Sequence, residues 1–308
     1  MCRVLRPFGA FCGDDLASGV RECYKFCDRP QLSTAQNKGA LMRKLLGLAG
    51  ACALGIGLLG AMPANATQAT NYVALGDSYS AGVGSGDYDP ASGNCKRSAN
   101  AYPKLWAAAN KPASFSFAAC LGAKTGDVVS GQLSALSSAT SLVSINIGGN
   151  DAGFTPTLTS CISGGDAGCK TATDKAIDYV HTTLPGQLDT TYQKIKAAAP
   201  NAKLVVLGYP ELYKIGGSCS AGLSDTSRGY IDNAADELDT QLAARAKAAG
   251  ATFVDVRSAF SAHRICTADP WLHSTTWPVD ESYHPNPKGQ SEGYLPAFSA
   301  AGKAAAAV

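Results

Sequence analysis

The chain has 308 residues, with 26 Lys and Arg against 24 Asp and Glu, a formal net charge of +2 and 45% hydrophobic residues. Residues 1–66 hold 8 of the basic and 4 of the acidic groups, so the remainder sits at about −2. That balance, without a basic patch or tail, argues against nucleic acid as a partner, and no coiled-coil heptads are present.

Taken in chain order, residues 1–41 precede Met42, a plausible start, and read as a non-native extension or one arising from an upstream start codon. Residues 42–66 have the order of a secretory signal. Arg43 and Lys44 follow Lys38, an apolar run covers 45–62, and Ala64-Asn65-Ala66 supplies small residues for cleavage. The competing reading is a membrane anchor, since the run approaches spanning length. Its Gly and Ala content and the cleavage pattern after it favour a signal. Cys52 lacks the Leu three residues before it that a lipoprotein signal carries. Residues 67–308 then form one domain with room for a sizeable core.

Short apolar runs predict five strands, at 71–75, 114–118, 142–147, 203–207 and 252–256. Their length and continuous apolarity suit strands buried on both faces. Between them, helices are predicted over 102–109, 127–137, 173–199 and 225–248, with a last one over 287–305. Strand alternating with helix implies crossover connections and a parallel sheet, hence a three-layer α/β/α sandwich. Segments 82–100, 151–170, 208–225 and 258–284 are rich in Gly, Ser and Asp and are expected to be loops.

Of 11 cysteines, six lie beyond residue 66: Cys95, Cys120, Cys161, Cys169, Cys219 and Cys266. An even number in an exported chain reads as three disulfides. Spacing does not choose among the possible pairings; sequential pairing, Cys95–Cys120, Cys161–Cys169 and Cys219–Cys266, is carried as the expectation. No Cys-x-x-Cys pair supports the rival zinc site.

Ligands of an open parallel sheet bind beyond the carboxyl ends of its strands, and reactive groups stand at those ends. Gly76-Asp77-Ser78 closes the first strand, Gly122 follows the second, and Gly148-Gly149-Asn150-Asp151 closes the third. Glu281-Ser282-Tyr283-His284-Pro285 stands near the C-terminus. Ser78 at a strand-to-helix turn is positioned as a nucleophile, where the helix N-terminus favours developing negative charge; alone, Gly-Asp-Ser reads equally as a helix cap. A trypsin-like serine would be followed by Gly-Gly and lie after its histidine, and an α/β-hydrolase elbow needs Gly-x-Ser-x-Gly; neither pattern fits. Gly122 and Asn150 can donate to an oxyanion, although Gly-Gly-Asn-Asp alone reads as a turn. Among four histidines, His181 falls in a polar helix, and His263 and His273 lie in a loop without a patterned partner. His284 has a carboxylate three residues before it and a proline after it, and an imidazole is the usual base for a serine hydroxyl.

In this order, the four segments together resemble the sequence blocks of the SGNH, or GDSL, hydrolase family, across essentially all of residues 67–308. The resemblance implies a flavodoxin-like fold, Ser78 as nucleophile, His284 as general base, and Ser78, Gly122 and Asn150 as the oxyanion hole. It also implies that no metal and no cofactor take part. The chain is similar in particular to secreted actinobacterial lipases and esterases of this family, the three-disulfide pattern included. One departure matters: the family usually has Asp three residues before the histidine, where Glu281 stands here. The partner of His284 is therefore either the Glu281 carboxylate or a main-chain carbonyl of Glu281 or Ser282. The reading leans toward a carbonyl, with Glu281 assisting. A secreted, monomeric serine esterase or lipase is expected, acting on small-molecule or lipid esters with at most transient contact with lipid surfaces. A phospholipase or carbohydrate acetyl esterase, or a non-catalytic secreted binding protein, are the alternatives.

Overall fold

Strands form where the short apolar runs lie. The computed structural model describes residues 70–217, 219 and 222–303. The extension and signal expected over residues 1–66 lie outside them. The strands are β1 Asn71–Gly76, β2 Ser114–Phe117, β3 Leu142–Asn146, β4 Lys203–Leu207 and β5 Thr252–Val254. All neighbours pair in parallel, in the order β2-β1-β3-β4-β5. That is the flavodoxin-like order, and its topological switch falls between β1 and β3. β3 is buried along its whole length, and β1 and β4 are buried apart from their first residues. This burial on both faces is why these strands read as unbroken apolar runs.

The helices are α1 Ser78–Ala81, α2 Tyr102–Asn110, α3 Thr125–Gly131, α4 Phe154–Thr182, α5 Leu184–Ala198, α6 Asp225–Ala248, α7 Arg257–Phe260 and α8 Leu295–Lys303. Helices α3, α4, α5 and α6 pack on one another as one layer; α2 and α8 pack together as the other. Tyr72 of β1 stacks among Trp106, Phe115 and Phe298 under the second layer. α6 shows why a helix forms where it does. Ser224 caps it by accepting the Ser227 N–H at 3.0 Å, Asp225 lies in its first turn, and Arg245 and Lys247 lie in its last.

Two expectations change here. Residues 151–170, expected as a loop with its cysteines, are largely the first half of α4. Leu158, Cys161, Cys169, Thr173 and Val180 are buried along α4, which packs on α6, and this burial overrides the weak local helix propensity. The helix is interrupted at Gly165, where φ is +58°, and the Cys161–Cys169 disulfide spans that break. The single helix expected over 173–199 is instead cut between α4 and α5. Pro185 stands in the first turn of α5, where its missing N–H costs nothing; inside a continuous helix it would break the ladder. Smaller shifts occur elsewhere. α3 begins two residues early, where Asp127 in its first turn accepts the Lys124 N–H at 2.9 Å. A wide-turn segment, Gly289–Tyr294, precedes α8. The other disulfides join Cys95 to Cys120 and Cys219 to Cys266.

Candidate active site

The end of β1 sets the site. Gly76 pairs with Asn146 of β3 and has φ +120°; a Cβ there would lie 2.4 Å from the Asn146 carbonyl oxygen, so only glycine fits. Asp77 then caps α1. Its Oδ1 accepts the Tyr79 N–H at 3.0 Å, and its Oδ2 accepts the Tyr209 hydroxyl from the end of β4. Burial pushes the Asp77 carboxyl up to about 7, against the pull of these two bonds. The turn between them presents Ser78.

Ser78 Oγ lies 2.7 Å from His284 Nε2, and His284 Nδ1 lies 2.9 Å from the main-chain oxygen of Ser282. Both side chains are buried. Burial lowers the His284 pKa to about 4, with the Ser282 carbonyl and Asp280 opposing the shift. The ring is therefore neutral at pH 7. With Nδ1 donating to the Ser282 carbonyl, Nε2 is left as the acceptor for the Ser78 hydroxyl.

Glu281 needs a correction as a candidate orienting group. Its carboxylate does not reach the imidazole; it accepts the Tyr88 hydroxyl at 2.8 Å. Its carbonyl accepts the backbone N–H of His284 at 3.3 Å. The cause is local: Val279–Glu281 form a 3-10 turn, and the extended backbone of Ser282 after it leaves its carbonyl on Nδ1. Asp280 is paired with Lys96.

Gly122 follows β2 with φ +76°, beside Cys120 and its disulfide to Cys95. Among the described residues, the N–H groups of Ser78 and Gly122 have no hydrogen-bond partner, whereas those of Asp77, Cys120, Leu121 and Ala123 all donate to carbonyls. Asn150 Nδ2 donates to the Ala123 carbonyl at 3.1 Å, which ties the loop after β3 to the loop after β2. One amide hydrogen is left for another acceptor.

Several supporting residues carry no local sequence signal. The Tyr79 hydroxyl donates to the Tyr283 carbonyl at 2.7 Å and so joins the serine turn to the histidine loop. Tyr283 itself has φ +64°, unusual for a residue other than glycine, and directly precedes His284. Gln290 Nε2 donates to the Tyr79 carbonyl at 3.1 Å while its Oε1 accepts the Tyr102 N–H at 2.9 Å. His273 bonds the Gly84 carbonyl at 2.7 Å, His263 stacks on Trp271, and His181 faces Glu237.

Beside Ser78 and Asn150 a cleft runs between α4 and α6, lined by Leu158, Val180, Ile231, Ala235 and Leu238, and this lining is apolar. Among the described residues, no group of three or more His, Cys, Asp or Glu side chains could hold a metal ion.

A serine hydroxyl bonded to a neutral imidazole, with free amide donors nearby, at the switch point of a parallel sheet, is the constellation of a serine hydrolase. Residues 74–291 match the model of the GDSL-like Lipase/Acylhydrolase family, and the chain belongs to that family. It is 54% identical to Lipase 1 of Streptomyces coelicolor over 253 residues, covering 81% of this chain and 94% of that protein. Among solved structures, the extracellular lipase of Streptomyces rimosus is similar at 54% identity and a TM-score of 0.74, covering 76% of this chain and 100% of that one. Phospholipase A1 of Streptomyces albidoflavus is similar at 51% identity and the same TM-score, covering 75% and 99%. The chain is accordingly a carboxylic ester hydrolase.

Proposed function

We propose that this is a secreted lipase or esterase that hydrolyses acyl esters through an acyl-enzyme on Ser78. The observation that carries the reading is the line of two bonds, Ser78 Oγ to His284 Nε2 at 2.7 Å and His284 Nδ1 to the Ser282 carbonyl at 2.9 Å. His284 takes the Ser78 proton as Oγ attacks the ester carbonyl. Negative charge on the former carbonyl oxygen is met by the N–H groups of Ser78 and Gly122 and the amide of Asn150. The tetrahedral species collapses, the alcohol leaves with the proton from His284, and the acyl group stays on Ser78. Water, deprotonated by the same imidazole, then releases the acid. The Ser282 carbonyl holds the tautomer and the ring orientation, as the carboxylate does in a full triad.

The apolar cleft beside Ser78 supports an acyl chain of several carbons over acetyl. A phospholipid is one ester with such chains, and a similar solved protein is a phospholipase A1. Export is supported by the three disulfides, by the extracellular relative and by the signal pattern of residues 42–66. Residues 1–41 are then an extension ahead of the signal, and residues 67–308 are the hydrolase domain.

The test is hydrolysis of soluble p-nitrophenyl esters of increasing chain length by the wild type, Ser78→Ala and His284→Ala. Loss of nearly all turnover in both variants, with a rate maximum beyond acetyl in the wild type, is expected. Substantial turnover by Ser78→Ala would end the reading.

A further inference from the structure

Among the described residues, four large apolar side chains are exposed: Trp277 at 86%, Val279 at 65%, Ile162 at 50% and Ile215 at 48%. Trp277 and Val279 sit at the tip of a loop that leads into His284. Its neck is closed where the Thr276 N–H donates to Ser282 Oγ at 2.9 Å, and the Ser282 carbonyl in turn holds the imidazole. Ile215 follows Tyr213, whose ring packs on Tyr283 with centroids 6.3 Å apart, beside the histidine. Ile162 lies one turn along α4 from Leu158, which lines the cleft. Every one of the four is borne on a segment that lines or adjoins the site.

We infer that this rim docks on a lipid surface, with Trp277 and Val279 inserting at the headgroup level and Ile215 and Ile162 flanking them. The inference rests on the reading that the substrate is an acyl ester whose chain enters the apolar cleft. A chain drawn from an aggregate can reach Ser78 without crossing water only if the rim of the cleft touches that aggregate. The chemistry of the rim fits a lipid occupant. An indole is amphipathic and suits the bilayer interface, and the exposed Val279 stands two residues from it on the same loop. The loop's two acids are both held by partners within the protein: Asp280 pairs with Lys96, and Glu281 accepts the Tyr88 hydroxyl.

The chain carries its own probe. It has three tryptophans; Trp106 and Trp271 are buried, and only Trp277 is exposed. The protein secreted into the culture medium is mixed with vesicles of a dialkyl-ether phosphatidylcholine, which offers no ester. The wild type should sediment with the vesicles and its emission should move to the blue. The variant Trp277→Ser should bind about tenfold more weakly or worse, the order expected from losing one buried aromatic, and its emission should no longer move to the blue. It should also hydrolyse vesicular ester phosphatidylcholine about tenfold more slowly, while turnover of soluble p-nitrophenyl acetate stays within about twofold. Undiminished vesicle binding by this variant overturns the inference, and so does an equal fall on both substrates. Binding to ether vesicles by a wild type that hydrolyses no ester would overturn the proposed function and leave the docking surface standing.

Discussion

Replacing Glu281 by Ala separates two ways of holding the histidine. In a triad whose carboxylate orients the ring, neutralising the acid costs about ten-thousandfold in kcat. Here the Glu281 carboxylate touches Tyr88 instead, and Nδ1 is occupied by the Ser282 carbonyl. The substitution therefore removes one hydrogen bond between the 84–98 loop and the histidine loop, at a half-buried tyrosine whose oxygen also accepts the Gly84 N–H at 2.9 Å. Such a bond contributes roughly 0.5–1.5 kcal/mol net. If all of that appeared in the barrier, at about 1.4 kcal/mol per decade, the fall in kcat would be about tenfold. The assay is kcat and KM on a soluble aryl ester, with a thermal melt to establish that the variant is folded. A loss of about a thousandfold or more in a folded variant would refute the carbonyl-held dyad.

Three other outcomes follow from the same geometry. Because burial lowers His284 to about 4, kcat/KM should fall on the acid side through pH 4, where the ring takes a proton and ceases to be a base; a limb near 6.5 contradicts this. Asn150→Ala should lower kcat by about a hundredfold to a thousandfold, with little change in KM, because its free amide hydrogen is used when the oxyanion forms. An equal rise in KM with unchanged kcat would instead make Asn150 a ground-state contact. Asp239 is fully buried, its Oδ1 accepts the Tyr209 N–H, and its pKa is raised to about 8 by burial. A raised carboxyl gives stability that is complete below the ordinary carboxyl pKa and is lost as pH rises, until none remains above about 8. Melting temperatures of Asp239→Asn should therefore decline less between pH 5 and about 8 than those of the wild type, and parallel curves would count against it.

Much of this was legible in the residues, for identifiable reasons. β1, β3 and β4 stand out because burial on both faces demands unbroken apolar runs. α4 did not, because its first half is composed like a loop and becomes helical only through burial against α6. Pro185 was visible, but its role as the start of a second helix depends on where α5 must pack. At the site, Ser78 could be picked out by residue type and by its position at the end of β1, and His284 by residue type and by the carboxylate and proline flanking it. The partner of His284 could be reduced only to alternatives. A main-chain carbonyl leaves no mark in the side-chain sequence, and a glutamate three residues upstream looks the same whether it faces the ring or Tyr88. Tyr79, Tyr209 and Gln290 were silent for a different cause. Their partners are Tyr283, Asp77 and Tyr79, at sequence separations of 204, 132 and 211, and only the folded sheet brings them together.

The most direct test of the central claim is to treat the wild-type protein with diethyl p-nitrophenyl phosphate and locate the adduct by peptide mass spectrometry. A single diethylphosphoryl group on the peptide bearing Ser78, formed in step with the loss of esterase activity and absent when His284 is replaced by Ala, is the predicted result. Inactivation with the label on another residue, or full inactivation with Ser78 unmodified, would contradict it.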